Sequence, residues 1–261
     1  MEYTLVNTLN QFETIALVGC GGTGGFLAEG LCRLLLEYPQ LRLLLIDGDR
    51  VEEENLGRQN FYPEDLGRFK SEALGERLAR KYQRPIAYSI SGLEERDRRD
   101  RRNWEAGCGL VVGCVDNAPA RAAIAQVVSP EQWWVDAGNG REFGQVLVGN
   151  AGLKRLSGSF DQENAVCHAL PLPTRVRPEL LVPAPREAAC AQMEQGPTIN
   201  QFMAALVVEV VRRLLEGSLS WWQAYLDLEA GSLRTVSAAP EDVSSLTGMS
   251  VRKLIRKCER R

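Results

Sequence analysis

The sequence predicts an α/β fold: a doubly wound, Rossmann-like, mostly parallel sheet with antiparallel additions in the C-terminal half. Three observations carry that expectation. Short apolar runs alternate with segments of helical period from residue 14 to about residue 130. The first apolar run ends in a glycine cluster, Gly19-Cys20-Gly21-Gly22-Thr23-Gly24-Gly25, and the second ends in an acid, Asp47. Strands that alternate with helices are joined by crossovers and lie parallel in one sheet.

The elements follow in order. Thr14–Gly19 (TIALVG) reads as a buried strand because it is short, apolar and bounded by glycine. Residues 23–37 place Phe26, Leu27, Leu31, Leu34 and Leu35 at helical spacing, with a stop near Pro39. Leu41–Asp47 (LRLLLID) is a second buried strand. A charged loop runs from Gly48 to Gly67, and a helix is expected over 70–83 and a strand over Ile86–Ile90. Residues 94–102 (EERDRRDRR) read as a solvated helix face. Gly109–Asp116 (GLVVGCVD) is another strand, followed by a helix over 118–129 that Pro130 stops. Trp133–Ala137 and Phe143–Val148 read as two strands separated by Gly138-Asn139-Gly140. From 152 to 195 the period is lost and prolines cluster, which marks an irregular crossover segment. Pro197–Leu215 reads as an apolar helix, Trp221–Val236 as a strand pair turning at Ala230-Gly231, and 245–259 as a basic amphipathic end. The expected organisation is a main domain over 1–216 with a small extension, 217–261, packed on it.

The composition excludes several function classes. Lys plus Arg is 31 and Asp plus Glu is 34, a net charge of -3. That balance speaks against a nucleic-acid or membrane-surface partner, either of which favours a basic chain. No run reaches the ~18 apolar residues of a membrane span, and the N-terminal residues lack the pattern of a signal peptide. A cytoplasmic protein is expected. The single histidine, His168, makes multi-histidine metal sites implausible. Seven cysteines, at 20, 32, 108, 114, 167, 190 and 258, form no CxxC pair and read as reduced thiols. No zinc is expected.

The glycine cluster carries the first chemistry. Glycines between a strand and a helix let the backbone approach phosphate oxygens, and the helix N-terminus adds N–H donors. Gly19, Gly21, Gly22 and Gly24 are therefore candidates for a nucleotide cradle. Asp47 stands at the spacing at which a carboxylate meets ribose hydroxyls. These features do not separate NAD from ATP. The following residues, IDGDRVEEENLGRQNFYPEDLGRFK, add groups that ATP cleavage needs and hydride transfer does not. Arg58 and Lys70 supply cations, and Asn55 and Gln59 supply hydrogen bonds. Five Lys stand against 26 Arg in the chain, so Lys at 70 hints at a requirement for that residue type. Asp116, beside Asn117 at the end of a strand, suits Mg²⁺ or equally an N-cap for the next helix.

The set GxGGxG, D-x-D, NLGRQ, a Lys about a dozen residues on, and CVDN resembles the ThiF/MoeB/ubiquitin-activating superfamily. NLGRQNFYPEDLGRFK, CVDNAPAR, WWVDAGNGREFGQVLVG and CAQMEQGPTINQF look more narrowly like the ThiF-type protein of PRTRC systems. The likeness spans roughly residues 12–215. It implies Mg-ATP-dependent adenylation of the C-terminal glycine of a ubiquitin-like or sulfur-carrier protein, by a homodimer. Asp49 then lies near the metal or phosphates, Asn117 beside the metal ligand Asp116, and Asn55, Arg58, Gln59 and Lys70 on the phosphates. The substrate carboxylate is its own nucleophile, so no histidine is needed. Related enzymes place a loop over the partner's tail near residue 190, some with a cysteine. Cys190 is thus either a thioester-forming thiol or an inert loop residue. Trp133–Trp134 and Pro197–Leu215 are candidates for the dimer surface, with core packing as the alternative. Two other readings stay open. Residues 1–14 hold no Arg or Lys to serve a partner's site, which allows a non-catalytic module that binds a ubiquitin-like protein. An NAD(P)-dependent oxidoreductase explains the glycines and Asp47 but leaves Arg58, Lys70 and Asp116 without work.

Overall fold

The computed structural model of the chain describes residues 2–7, 13–93, 108–129, 131–182, 196 and 198–255. Its eleven described strands are β1 Thr4–Leu5, β2 Thr14–Val18, β3 Arg42–Ile46, β4 Ala87–Ser89, β5 Cys108–Gly113, β6 Trp133–Asn139, β7 Phe143–Gly149, β8 Phe160–Asp161, β9 Val166–Cys167, β10 Trp221–Asp227 and β11 Ser232–Ser237. The helices are α1 Gly22–Leu34, α2 Lys70–Tyr82, α3 Ala118–Val127, α4 Pro173–Val176, α5 Ile199–Glu216, α6 Pro240–Thr247 and α7 Val251–Leu254.

Eight strands form one sheet in the order β11-β10-β7-β6-β5-β2-β3-β4. β6, β5, β2, β3 and β4 run parallel, and β7, β10 and β11 are added antiparallel. The expected fold class is therefore the observed one. β2 lies between two parallel neighbours, with Val18 opposite both Ile46 and Gly113. A strand covered on both faces reads as a continuous apolar run, which is why TIALV shows no alternation. One face of the sheet packs Leu27, Leu31, Leu74, Leu78, Met203 and Val207, from α1, α2 and α5. The other packs Ala123, Ile124 and Val127 of α3 against Val18, Val111 and Trp134.

The chain leaves β2 toward β3 on one side, while β5 lies on the other. Their C-terminal ends thus diverge at a switch point, where open α/β sheets form their ligand crevice. The glycine cluster follows β2, and the Asp116 loop follows β5.

Several expectations are corrected. β5 stops at Gly113, so Asp116 lies three residues past the strand instead of ending it. Cys114 N–H still bonds the Val18 carbonyl at 2.8 Å, after which the chain departs toward α3. Trp133 and Trp134 are 1% and 0% exposed, so they belong to the core and not to a dimer surface. Over its described residues, 245–255, the basic C-terminal segment holds the end of α6 and the short α7, because Gly248 takes φ 71 and ends α6. The irregular segment contains β8 and β9, which join β1 in a second, three-stranded sheet. The two-residue β1 carried no periodic signal in the sequence. The charge run 94–102, Cys190 and Cys258 lie outside the described residues. Among the described residues, no helix is long and apolar enough to cross a membrane.

Candidate functional site

The turn from β2 into α1 forces glycine at two positions. Gly19 has φ +90, and a Cβ there would stand 2.5 Å from the Cys114 carbonyl oxygen. At Gly24 a Cβ would stand 1.9 Å from the Gly19 carbonyl oxygen. The turn itself thus requires these glycines, before any ligand is considered. Gly21 differs: a Cβ there would meet the Gln59 side chain at an ordinary 3.8 Å. Gly22 is covered by the Asn200 amide, 2.5 Å from where a Cβ would be.

Asp47 follows β3 and faces the same turn. Its Oδ2 accepts from the Cys20 N–H at 2.6 Å, and its Oδ1 from the Asp49 N–H at 2.8 Å. Burial raises its pKa, and those two backbone hydrogen bonds act against the rise. Each carboxylate oxygen keeps a second lone pair, sufficient for a hydroxyl. Asp49 points to solvent, its side chain 76% exposed, yet its Oδ2 lies 3.1 Å from the Nζ of Lys70. Lys70 is 8% exposed, at the first residue of α2. Its ammonium also acts on the neighbouring Asp47, whose carboxyl it helps to hold down.

The loop between β3 and α2 is built on hydrogen bonds. Asn55 Oδ1 accepts from the Glu52 N–H at 3.0 Å, and the Asn55 carbonyl accepts from the N–H groups of Arg58 and Gln59. Arg77 of α2 donates to the Asn60 carbonyl and to Asp65, both at 2.5 Å, and stacks 4.8 Å from the Tyr62 ring. The loop is thereby held against α2. Gln59 Oε1 is buried without a hydrogen-bond partner, an acceptor beside Gly21 still waiting for a donor. Among the described residues no carboxylate pairs with the Arg58 guanidinium.

Across the switch point, Asp116 is exposed in the β5–α3 loop. It does not cap α3: the cap is Asn117, whose side chain accepts from the Ala120 N–H at 2.9 Å. This settles the N-cap alternative and leaves the Asp116 carboxylate to solvent, with Asn117 Nδ2 at 3.4 Å. The structure therefore bonds Asp47 into the Gly19–Gly24 turn, sets Gln59 beside Gly21 and Lys70 on Asp49, and carries Asn55 and Arg58 on the loop that leads to Gln59. Asp116 and Asn117 lie exposed on the β5–α3 loop. Cys190 is outside the described residues.

Two groups escaped the sequence reading. Arg121 of α3 and Asp136 of β6 form a buried pair, with Nε 3.3 Å from both carboxylate oxygens. Burial pushes the Asp136 carboxyl up, and Arg121 opposes this. The second group is Thr23, Asn139 and Asn200, hydrogen-bonded together where α1, β6 and α5 meet. No local pattern in the sequence marks it, since the polar Gln201 stands directly beside Asn200.

Residues 4–245 match the ThiF family. The chain belongs to that family. This ThiF-family chain is 31% identical over 140 residues to ubiquitin-like modifier-activating enzyme 5 of Arabidopsis thaliana, covering 48% of the chain and 32% of the relative. It is 31% identical over 155 residues to the Caenorhabditis elegans protein of the same name, covering 53% and 36%. The matches thus take in about a third of the relatives' length. Among solved structures, it resembles SeMet PaaA with TM-score 0.59 at 17% identity, covering 88% of this chain and 65% of that one. E. coli MccB with AMPCPP and SeMet MccA gives 0.57 at 16%, with the same coverage. These likenesses show the fold.

Proposed function

We propose that the chain binds Mg-ATP and adenylates the C-terminal glycine carboxylate of a ubiquitin-like or sulfur-carrier protein. The observation that carries this is the buried Lys70 ammonium, paired with Asp49 two residues after the Asp47 that bonds the glycine turn; the motif likeness adds Arg58 and the exposed Asp116 to that set. A hydride-transfer site has no use for that set. The unpartnered Gln59 Oε1 and the two spare lone pairs of Asp47 fit a nucleotide's hydroxyl and amino donors. The related enzymes are activators of ubiquitin-like modifiers by name, and solved MccB structures carry ATP or AMPCPP.

The substrate's glycine carboxylate attacks the α-phosphorus of ATP, the bond to the bridging oxygen breaks, and pyrophosphate leaves. A carboxylate is ionised at neutral pH, so the protein supplies no general base. Its work is orientation and charge stabilisation. Arg58 and Lys70 face charge building on the phosphates. Asp116 would hold Mg²⁺, which neutralises charge on the phosphate oxygens.

Finer features belong to this proposal. Cys190 would take the acyl group as a thioester, its thiolate attacking the acyl carbon and AMP leaving. The motif likeness supports the PRTRC-type subgroup. The outer face of α5, where Phe202 is 52% exposed, supports a homodimer.

ATP–pyrophosphate exchange with small proteins ending in glycine tests the reading. Exchange is expected with one of them, and Asp116→Ala is expected to abolish it. ATP binding with no exchange for any partner would favour a binding module, and NADH binding without ATP binding would refute the reading. A reducible partner conjugate lost in Cys190→Ala is the expected sign of the thioester.

A further inference from the structure

Asn200 is a buried polar residue, 2% exposed, at the second position of its helix. A buried amide costs several kcal/mol unless its groups are paired. The partners named here come from distant parts of the chain. Oδ1 accepts from Thr23 Oγ1 at 3.1 Å and from Asn139 Nδ2 at 3.2 Å. Nδ2 donates to the Arg58 carbonyl at 3.2 Å. Thr23 Oγ1 also lies 3.1 Å from Asn139 Oδ1, closing the cluster.

The Arg58 peptide is thus held on both sides. Its N–H donates to the Asn55 carbonyl at 3.2 Å, and its C=O accepts from Asn200. Among the described residues no carboxylate aims the Arg58 side chain, so the placement of its backbone sets where the guanidinium starts from. Asn200 also covers Gly22 in the first turn of α1, which fixes the spacing between that turn and Arg58. Asn139 extends the connection to the turn before β7, where the Gly196 N–H bonds the Arg141 carbonyl at 3.0 Å.

We propose that Asn200 is a positioning residue, acting through Arg58: its amide locks the Arg58 backbone to the glycine-turn helix and to the end of β6, and so sets the cation for the nucleotide. The proposal rests on the adenylation reading only for what Arg58 does. The fixing of the loop itself is a property of the unliganded protein.

Asn200→Asp keeps the acceptor for Thr23 and Asn139 and removes the donor to Arg58. In this variant ATP affinity is expected to fall about tenfold, the loss of one buried hydrogen bond. In an Arg58→Ala background the same change is expected to cost less than about twofold, because the residue it acts through is gone. Hydrogen exchange on the unliganded protein is expected to quicken about tenfold over residues 53–60, and to stay unchanged over residues 205–215. Asn200→Ala, which buries no charge, is expected to give the same local pattern. Equal cost with and without Arg58, or exchange that quickens throughout the chain, would overturn the proposal. Failure of the wild-type protein to bind ATP would overturn the adenylation reading alone. Local exchange would then decide the role of Asn200, and unchanged exchange over 53–60 would refute it.

Discussion

Lys70 combines a buried stem with a charge paired to Asp49. Lys70→Met keeps the stem and removes the charge. Pyrophosphate exchange is expected to fall about a hundredfold or more, the usual cost of one electrostatic contact at a reacting phosphate. The urea midpoint is expected to stay near that of the wild type. Exchange at an undiminished rate would remove Lys70 from the phosphate site. At this scale the sequence was most legible where residue type follows from geometry, as with Gly19 and Gly24, which the turn requires, and Asp47, which bonds it. It was ambiguous at Asp116, where a metal ligand and a helix cap use the same residue types. The neighbour Asn117 takes the cap, because its side chain is the one that reaches the Ala120 N–H. Thr23, Asn139 and Asn200 were illegible, since their partners lie 61 to 177 residues away.

Among the elements, α5 ends in a charge network that its sequence spacing makes. Glu209 accepts from Arg212 and Arg213, three and four residues on, and these hydrogen bonds hold its carboxyl down at about 2. A carboxyl whose folded pKa lies below its unfolded value stabilises above the unfolded value, and that stability is lost as pH falls toward the folded one. The window here runs from 4.5 down to about 2. Glu209→Gln is therefore expected to lower the urea midpoint at neutral pH, and to lower it less at about pH 3. Solvent and salt keep the effect small, as for other half-exposed pairs. A midpoint difference that grows on acidification would contradict this origin. Element identity was readable from period, as in β2, α1, α2 and the β10–β11 pair. Element ends were less so. β5 is shorter than its apolar run because the strand needs partners as well as side chains, and the chain turns away after Cys114.

For the whole molecule, burial decides which thiols can react. Cys32, Cys108 and Cys167 are pushed up to about 12 by burial, and Cys20 and Cys114 are raised as well, again chiefly by burial. The thiolate is the reactive form, so these five are expected to resist iodoacetamide near neutral pH and to label fully in urea. Mass spectrometry of labelled peptides would show it. Equal labelling of Cys108 in both states would mean that the strand is not closed over it. Covalent chemistry would then fall to a cysteine outside these five, consistent with the thioester test on Cys190→Ala.

The sequence by itself determined the α/β class, the order of the eight main-sheet strands and of the four long helices, the glycine turn and the acid that follows it. Each of these is a local matter of period, turn chemistry or spacing. Only the tertiary structure decided that β2 and β5 diverge at a switch point, and that Asn117, not Asp116, caps the helix after β5. It alone buried Trp133 and Trp134 within the chain, and it alone brought Asn200 of α5 onto the Arg58 carbonyl. Such contacts depend on how distant segments pack. No one-dimensional pattern records which buried amide meets which carbonyl.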